Sequence, residues 1–198
     1  MSDTFYTIAK QGEGIYKEKM SKFLSFAIKI STPEEAKNII KEYQNKFHDA
    51  RHVCWAYMIG PERLTWQLND NGEPSGTAGK PIMGQINSFG LTDVLIIVVR
   101  YFGGIKLGTP GLISAYREAA RLALEDAGKV EMHTSETIRI SFPYSAANDV
   151  MKVVKSEEIE IQERIFDNSC MMKLSFRKDY ADRIKGRLLN LDGVKESK

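Results

Sequence analysis

The spacing of hydrophobic residues in the first part of the chain predicts extended structure followed by a helix. Residues 16–30 show a strand-like pattern with a break around Met20. A helix is predicted to follow, because Thr32 suits the N-cap position, Pro33 the first turn and Glu35 the capping box. Its apolar residues are spaced to form one face, made up of Ala36, Ile39, Ile40, Tyr43 and Phe47.

Strands and helices alternate in the pattern of the central part of the chain. Residues 52–59 are typical of a strand that is largely covered on both faces, and the aliphatic run at 94–99 predicts a central strand for the same reason. Thr109 is predicted to be the N-cap of a long helix, with Gly128 just past its end. The segments predicted here are strands at 52–59, 64–68 and 94–100 and helices at 81–88 and 109–127.

A different order of elements begins near Glu136. The order strand, helix, strand, strand, helix predicts a small split-βαβ, ferredoxin-like unit, without a full last strand in the pattern. The predicted fold class is therefore α+β, with an N-terminal domain at 1–131 and a C-terminal domain at 136–198. The predicted segments are strands at 137–142, 158–166 and 170–177, helices at 145–156 and 179–190, and a turn at 167–169.

Composition and charge limit the class of protein and its partners. With 42% hydrophobic and 27% charged residues, the chain has the composition of a folded globular protein. The run at 94–99 is too short to cross a bilayer and the N-terminus has no secretory pattern, so we predict a cytoplasmic location and no membrane partner. The net charge is only +2, so an RNA partner would have to be held by a local patch. Cys54 and Cys170 are predicted to be buried free thiols.

Glycine is concentrated in one part of the sequence. Nine of the 15 glycines lie between Gly72 and Gly111, and most of the nine are in two loops predicted at 70–81 and 100–111. Glycine is costly to order unless backbone geometry or a close approach requires it. The loops either build tight turns or form a recognition surface, and we favour the surface because the second loop leads into a helix N-terminus that attracts anions. Their polar and cationic side chains are Ser75, Thr77, Lys80, Arg100 and Lys106.

Ready-made phosphate, calcium and esterase motifs do not fit these loops. A Walker loop requires glycine where this chain has Pro74, six residues before Lys80. An EF-hand centred on Gly72 would have Gln67 and Ala78 as its first and twelfth residues, which cannot supply the required carboxylates. The serine of the first loop is not in a nucleophile elbow. The loops therefore carry no known chemical signature.

Histidines and carboxylates near the loops leave several roles open. His52 and His48 lack a sufficient set of further ligands for zinc, so no metal is predicted. His52 is either a polar core or surface residue, or a hydrogen-bonding and proton-transfer group of the loop surface. Asp70 and Glu73 could form an acid-base pair, but their spacing is commoner in turn stabilisation. Tyr116 is predicted to be a packing residue, and no catalytic residue is assigned.

Three motifs, in order along the chain, resemble the IMPACT family in its bacterial YigZ-like form. They are His52-Val-Cys-Trp-Ala-Tyr57, Asp70-Asn-Gly-Glu-Pro-Ser-Gly-Thr-Ala-Gly-Lys-Pro81 and Arg100-Tyr-Phe-Gly-Gly-Ile-Lys-Leu-Gly108. The resemblance implies a first domain of the kind found in a small-subunit ribosomal protein and in domain IV of elongation factor G. It implies a second domain like the C-terminal ferredoxin-like part of that factor. Eukaryotic members regulate translation by competing for the activator of an initiation-factor kinase.

The resemblance implies a binding surface rather than catalytic residues or a cofactor. One departure from the family is Pro110, which stands where glycine is usual and removes a backbone donor at the helix start. The predicted partner is RNA, the ribosome or a translation factor. The alternatives are an enzyme acting on a small phosphorylated or nucleotide-like ligand, and a protein-binding scaffold. The predicted surface is His52, Asp70, Gly72, Glu73, Pro74, Ser75, Gly76, Thr77, Gly79, Lys80, Arg100, Gly103, Gly104, Lys106, Gly108, Thr109 and Gly111.

Overall fold

The computed structural model describes residues 3–167 and 169–197, which form a mixed α and β structure. The helices are α1 (Pro33–Lys46), α2 (Gly79–Phe89), α3 (Gly108–Ala127), α4 (Ala147–Ser156) and α5 (Ala181–Leu189). The strands are β1 (Thr4–Ile8), β2 (Gly12–Glu18), β3 (Ser21–Lys29), β4 (His52–Ile59), β5 (Thr65–Asn69), β6 (Val94–Tyr101), β7 (Lys129–His133), β8 (Ser135–Phe142), β9 (Glu160–Phe166), β10 (Cys170–Arg177) and β11 (Lys195–Glu196). No helix of the described residues is long and apolar enough to span a membrane.

The described chain divides into two compact units. Phe5–Met132 form the first unit, and the residues from His133 onwards form the second together with Asp3 and Thr4. The Asp3 carbonyl accepts a hydrogen bond from the Thr134 amide at 2.7 Å, and its carboxylate accepts two from Arg177 at 3.1 and 3.2 Å. The Arg177 guanidinium lowers the pKa of Asp3 to about 2. These contacts join the start of the chain to the second unit.

The first unit is built on a five-stranded antiparallel sheet in the order β2-β3-β6-β4-β5. The aliphatic residues of β6 are fully buried, which confirms the predicted central strand. α1 packs on one face, where Ile40 and Tyr43 share a hydrophobic cluster with Ile97. α2 and α3 pack on the other face, where Ile82 and Tyr116 belong to a second cluster.

The predicted start of α1 is confirmed. The Thr32 hydroxyl accepts a hydrogen bond from the Glu35 amide at 3.1 Å, and Pro33 is the first helical residue. The Glu35 carboxylate accepts from the Ser31 amide at 2.8 Å, one residue earlier than in a standard capping box.

The two helices that follow the glycine loops both begin earlier than predicted. α3 begins at Gly108 and its cap residue is Leu107, so the prediction of Thr109 as a side-chain N-cap is wrong. Gly108 has a φ of +72°, which lets the chain turn into the helix before Thr109 is reached. α2 begins at Gly79 rather than at residue 81. Neither helix has a side-chain hydrogen bond from its cap residue.

The second unit contains a four-stranded sheet in the order β11-β8-β10-β9. Alternate residues of β8, such as Ile138 and Ile140, are buried in one cluster with residues of α4 and α5, including Val150 and Ile184. The last strand, β11, has two residues and pairs with β8. Short 3-10 turns precede α4 and α5. The predicted turn at 167–169 includes Asn168, which lies outside the described residues.

Candidate functional site

The two glycine-rich loops meet at one end of the five-stranded sheet and line a pocket of about 430 Å³, which we call the loop pocket. Its wall includes His52 from β4 and Arg100 from β6, which lie opposite each other in the strand register. All its lining residues belong to the first unit. They are Arg51, His52, Gly72, Glu73, Pro74, Arg100, Phe102, Lys106, Leu107, Gly108, Thr109 and Leu112.

Asp70 holds the first loop in shape. Its carboxylate accepts hydrogen bonds from the amides of Gly76 at 2.8 Å, Ala78 at 3.0 Å and Gly79 at 2.8 Å. Burial of Asp70 opposes its ionisation, but these three bonds and the nearby Lys80 outweigh that effect and hold its pKa below the ordinary value. The carboxylate therefore satisfies backbone donors at the start of α2, and it is already fully engaged in that role.

Other side chains of the first loop also form hydrogen bonds within the protein. The Thr77 hydroxyl is buried and donates to the Pro74 carbonyl at 2.7 Å. The Asn71 side-chain oxygen accepts from the Val53 amide at 3.1 Å, which ties the loop to β4. The loop therefore reaches the pocket in a fixed conformation.

Beneath the pocket lies a buried cluster around Glu73. One Glu73 oxygen accepts hydrogen bonds from Arg100 at 2.6 Å and from the Tyr116 hydroxyl at 2.8 Å. The Cys54 sulfur lies 3.3 Å from the same hydroxyl and 3.0 Å from the Asp70 carbonyl. Burial raises the pKa of Cys54 to about 12 and also raises that of Tyr116. Both groups therefore stay protonated at neutral pH, and the cluster is a polar support for the pocket wall.

His52 presents one ring nitrogen to this cluster. Its Nδ1 donates to the Asn71 carbonyl at 2.8 Å, because a carbonyl can only accept. In the neutral ring Nε2 then carries the lone pair, and it lies 3.8 Å from the second Glu73 oxygen. A protonated ring would form an ion pair with that carboxylate. This arrangement is compatible with either a hydrogen-bonding or a proton-transfer role.

Exposed cations and an aromatic ring form the rim of the pocket. Arg51 and Lys106 are both exposed and line it. Phe102 is 39% exposed, and the guanidinium carbons of Arg51 and Arg100 lie 5.8 and 5.4 Å from its ring centroid. The start of α3, with no side-chain cap, completes the rim. Positive side chains next to uncapped helix amides favour an anion.

The predicted surface is divided by the structure. Arg100 is only 5% exposed and is paired with Glu73, so its charge is largely neutralised inside the protein. Lys80 and Gly76 lie outside the loop pocket and line a separate depression with Arg117. The predicted residues that line the loop pocket are His52, Gly72, Glu73, Pro74, Arg100, Lys106, Gly108 and Thr109. Those that do not are Asp70, Ser75, Gly76, Thr77, Gly79, Lys80, Gly103, Gly104 and Gly111.

Gly103 has a packing role at the edge of the site. A Cβ on this residue would lie 2.1 Å from the Met20 backbone oxygen, in the turn between β2 and β3. Real Cβ atoms essentially never approach backbone this closely. The second loop therefore needs glycine here in order to pack on that turn.

Several residues of the site were missed by sequence reasoning. Arg51 directly precedes His52, and Phe102 lies within the third motif, so both stood next to predicted residues. Tyr116 was predicted to be a packing residue, and only the structure reveals its hydrogen bond to Glu73. Within residues 3–167 and 169–197, no group of three or more His, Cys, Asp or Glu side chains is arranged to hold a metal ion.

The Impact N-terminal domain family matches residues 19–124, which include both glycine loops. The IMPACT family member YvyE of Bacillus subtilis (strain 168) is 32% identical over 163 residues, which cover 82% of this chain and 75% of that relative. The IMPACT family member YigZ of Escherichia coli (strain K12) is 40% identical over 108 residues, or 54% of this chain and 53% of that relative.

A solved structure has the same fold. The crystal structure of a hypothetical protein matches with a TM-score of 0.75 at 23% identity, over 99% of this chain and 97% of that one. This likeness supports the mixed α+β fold. The domain match covers more than half of the chain, and the two glycine loops that carry the motifs lie within it. The chain therefore belongs to the IMPACT family.

Proposed function

We propose that the protein is a translation-associated regulatory binding protein that contacts RNA through the loop pocket. The observation that carries this proposal is the convergence of Arg51, Lys106 and the uncapped start of α3 on one pocket. Family membership supports the link to translation, which the resemblance implies for eukaryotic relatives. The low net charge of +2 fits a local contact better than a broad electrostatic surface.

An RNA phosphate would be held by the rim of the pocket. The amides of Gly108 and Thr109 are donors in the first turn of α3, although Pro110 supplies none. Arg51 and Lys106 add positive charge, and the exposed Phe102 offers a face for a base. In this role Arg100 and Glu73 support the pocket wall and do not themselves bind phosphate.

We also propose that the units have the ancestry that the resemblance implies. The first would be related to a ribosomal protein and to domain IV of elongation factor G. The second would be ferredoxin-like, which is supported by its β-α-β-β-α-β element order and by the position of β8 and β10 at the centre of its sheet. A protein built in this way would have two units suited to ribosomal surroundings.

Co-sedimentation with ribosomes across a salt series tests the proposed function. We expect salt-sensitive association that is strongly reduced in an Arg51→Ala/Lys106→Ala variant, because each lost phosphate contact removes counterion release. Lys152→Ala is the matched control, since that lysine lies in the second unit with 77% of its side chain exposed. Association that is absent, or equal in all variants, would contradict the proposal.

A second candidate function is action on a small phosphorylated or nucleotide-like ligand. It is favoured by the volume of about 430 Å³ and by the His52 Nε2 atom beside Glu73. A thermal-shift screen with nucleotides and inorganic phosphate separates the candidates. A ligand at 100 times its dissociation constant would add about 2.7 kcal/mol of stability. Flat responses in the whole screen would count against this candidate.

A further inference from the structure

A second cavity lies on the other face of the five-stranded sheet, between α1 and the strands β4 and β5. We call it the aromatic groove, and its volume is about 680 Å³. The loop pocket and its proposed contacts do not use it. The residues that matter for its chemistry are Trp55, Tyr57, Gln67, Asn69, Lys37 and Lys41.

Two stacked rings form the floor of the groove. Trp55 and Tyr57 are alternate residues of β4 and therefore point to the same face. Their ring centroids are 5.9 Å apart and their planes differ by 7°. Tyr57 is buried and its hydroxyl donates to the Gln67 side chain at 3.1 Å, whereas Trp55 is half-buried. The indole is therefore the accessible member of a rigid stack.

Side-chain amides line the edge of the groove beside these rings. Asn69 lies opposite Trp55 in the strand register, and Gln67 lies opposite Tyr57. The Asn69 oxygen accepts from the Asn71 amide at 2.7 Å, and the Asn71 oxygen accepts from the Val53 amide at 3.1 Å. Since backbone N–H groups only donate, these bonds fix which end of each side chain is oxygen. The NH₂ ends are then available to acceptors in the groove.

The opposite wall supplies positive charge. Lys37 and Lys41 are one helical turn apart on α1, and both are exposed and line the groove. Glu34 is the acidic residue of the lining, so the ionisable side chains carry a net positive charge. A ligand that suits both walls has a flat apolar face, hydrogen-bond acceptors on its edge and a negative charge on its far side.

We propose that the aromatic groove binds an unpaired base of a single-stranded nucleic acid. The base stacks on Trp55, its carbonyl oxygens and ring nitrogens accept from the NH₂ groups of Asn69 and Asn71, and the adjoining phosphates face Lys37 and Lys41. A duplex cannot bind in this way because its bases are already stacked and paired. The groove thus adds base contacts to a protein whose proposed loop-pocket contacts are with phosphate.

The turn after β5 connects the two cavities. Asn71 lines the aromatic groove and the next residue, Gly72, lines the loop pocket. A strand held in the groove can therefore continue towards the loop pocket, and to that extent this inference rests on the proposed function. Base stacking on Trp55 does not itself require the loop pocket, so the two can be tested separately.

Tryptophan fluorescence provides a direct test. The chain has 2 tryptophans, and Trp66 is 57% exposed on the opposite face of β5, so a Trp66→Phe chain reports on Trp55 alone. We expect single-stranded oligouridine to quench this emission and a duplex RNA of equal length not to do so. Single-stranded RNA and single-stranded DNA are tested in separate titrations. Quenching by either supports stacking of a base on Trp55 and shows which nucleic acid supplies it.

Two variants complete the test. Trp55→Leu should weaken single-strand binding by at least about fivefold, and Trp66→Phe should leave it unchanged. Lys37→Glu/Lys41→Glu alters only exposed helical side chains, so it should keep the fold and still weaken binding. Unchanged emission with saturating RNA and DNA single strands alike, equal quenching by duplex, or full affinity in both groove variants would overturn the proposal.

Failure of the groove and failure of the proposed function give different results. If ribosome association depends on Arg51 and Lys106 but Trp55 emission never changes, the groove proposal fails and the proposed function stands. If single strands quench Trp55 but the Arg51→Ala/Lys106→Ala variant sediments like wild type, the groove stands and the proposed function fails.

Discussion

At the scale of single residues, Asp70 determines the shape of the first glycine loop. Its carboxylate receives the amides of Gly76, Ala78 and Gly79 and so replaces a side-chain cap at the start of α2. The stability of the loop therefore depends on the ionisation of the Asp70 carboxyl group. A carboxyl whose pKa is depressed in the folded state stabilises that state above its unfolded pKa and loses this effect as the pH falls through the folded pKa.

Replacement of Asp70 with asparagine should therefore destabilise the protein more at pH 7 than at pH 3. At pH 7 the wild-type carboxylate is charged and favours the folded state, and this advantage declines as the pH falls below the ordinary carboxyl pKa. Urea unfolding of both proteins at the two pH values measures the difference. The control is Asp149→Asn, which makes the same chemical change on the exposed surface of α4. An equal loss at both pH values would contradict this role for Asp70.

Glu73 and Arg100 form a buried ion pair, with 3% and 6% of their side chains exposed. Removal of one partner leaves the other charge buried without compensation, which costs about 3–5 kcal/mol in comparable pairs. Glu73→Leu and Arg100→Met should each lower the free energy of unfolding by about this amount. The double variant should lose much less than the sum of the two. Chemical denaturation of the four proteins measures the coupling, and additive losses would show that the pair does not act as a unit.

The residue types of the site could be predicted from the sequence, but their roles could not. Motif spacing identified His52, Glu73 and Arg100 as members of one surface. Motif spacing could not show that Arg100 forms an ion pair with Glu73, because that pairing depends on β6 lying beside β4 in the sheet. Nor could it separate Lys80 from Lys106, which are in different loops and line different cavities.

At the scale of elements, the contact between the second glycine loop and the β2–β3 turn fixes the position of that loop. Gly103→Ala should destabilise the first unit, because the added methyl group would overlap the Met20 backbone and one of the two segments would have to move. Gly84→Ala in α2 is the matched control. A Cβ there meets nothing within 4 Å, so the better helix former should raise stability by up to about 1 kcal/mol. Thermal unfolding distinguishes them, and equal melting temperatures would contradict the packing role.

Long periodic elements were predictable, and short or remote pairings were not. α1 and β6 have strong sequence signals, and both are found where predicted. β1 and β7 pair with each other although nearly the whole sequence of the first unit lies between them, and β11 has only two residues. No local sequence pattern therefore indicates these three strands. The early start of α3 was missed because the positive φ of Gly108 is a property of the folded backbone.

At the scale of the whole molecule, the net charge of only +2 means that nucleic acid would have to be bound by local groups of positive side chains. The loop pocket and the aromatic groove of the first unit lie on opposite faces of one sheet, and each has lysine or arginine side chains in its lining. In our account the loop pocket holds phosphate and the aromatic groove holds an unpaired base. Neither needs a strongly basic chain. The family match covers the part of the sequence that forms both cavities.

The most direct test of the loop pocket is an amide-resolved NMR titration of the intact chain with a single-stranded RNA. Our account predicts the largest shift changes at the backbone amides of Gly72, Lys106, Gly108 and Thr109, and loss of these changes in the Arg51→Ala/Lys106→Ala variant. Saturating RNA that leaves these amides unmoved, or that shifts chiefly the residues after His133, would contradict it.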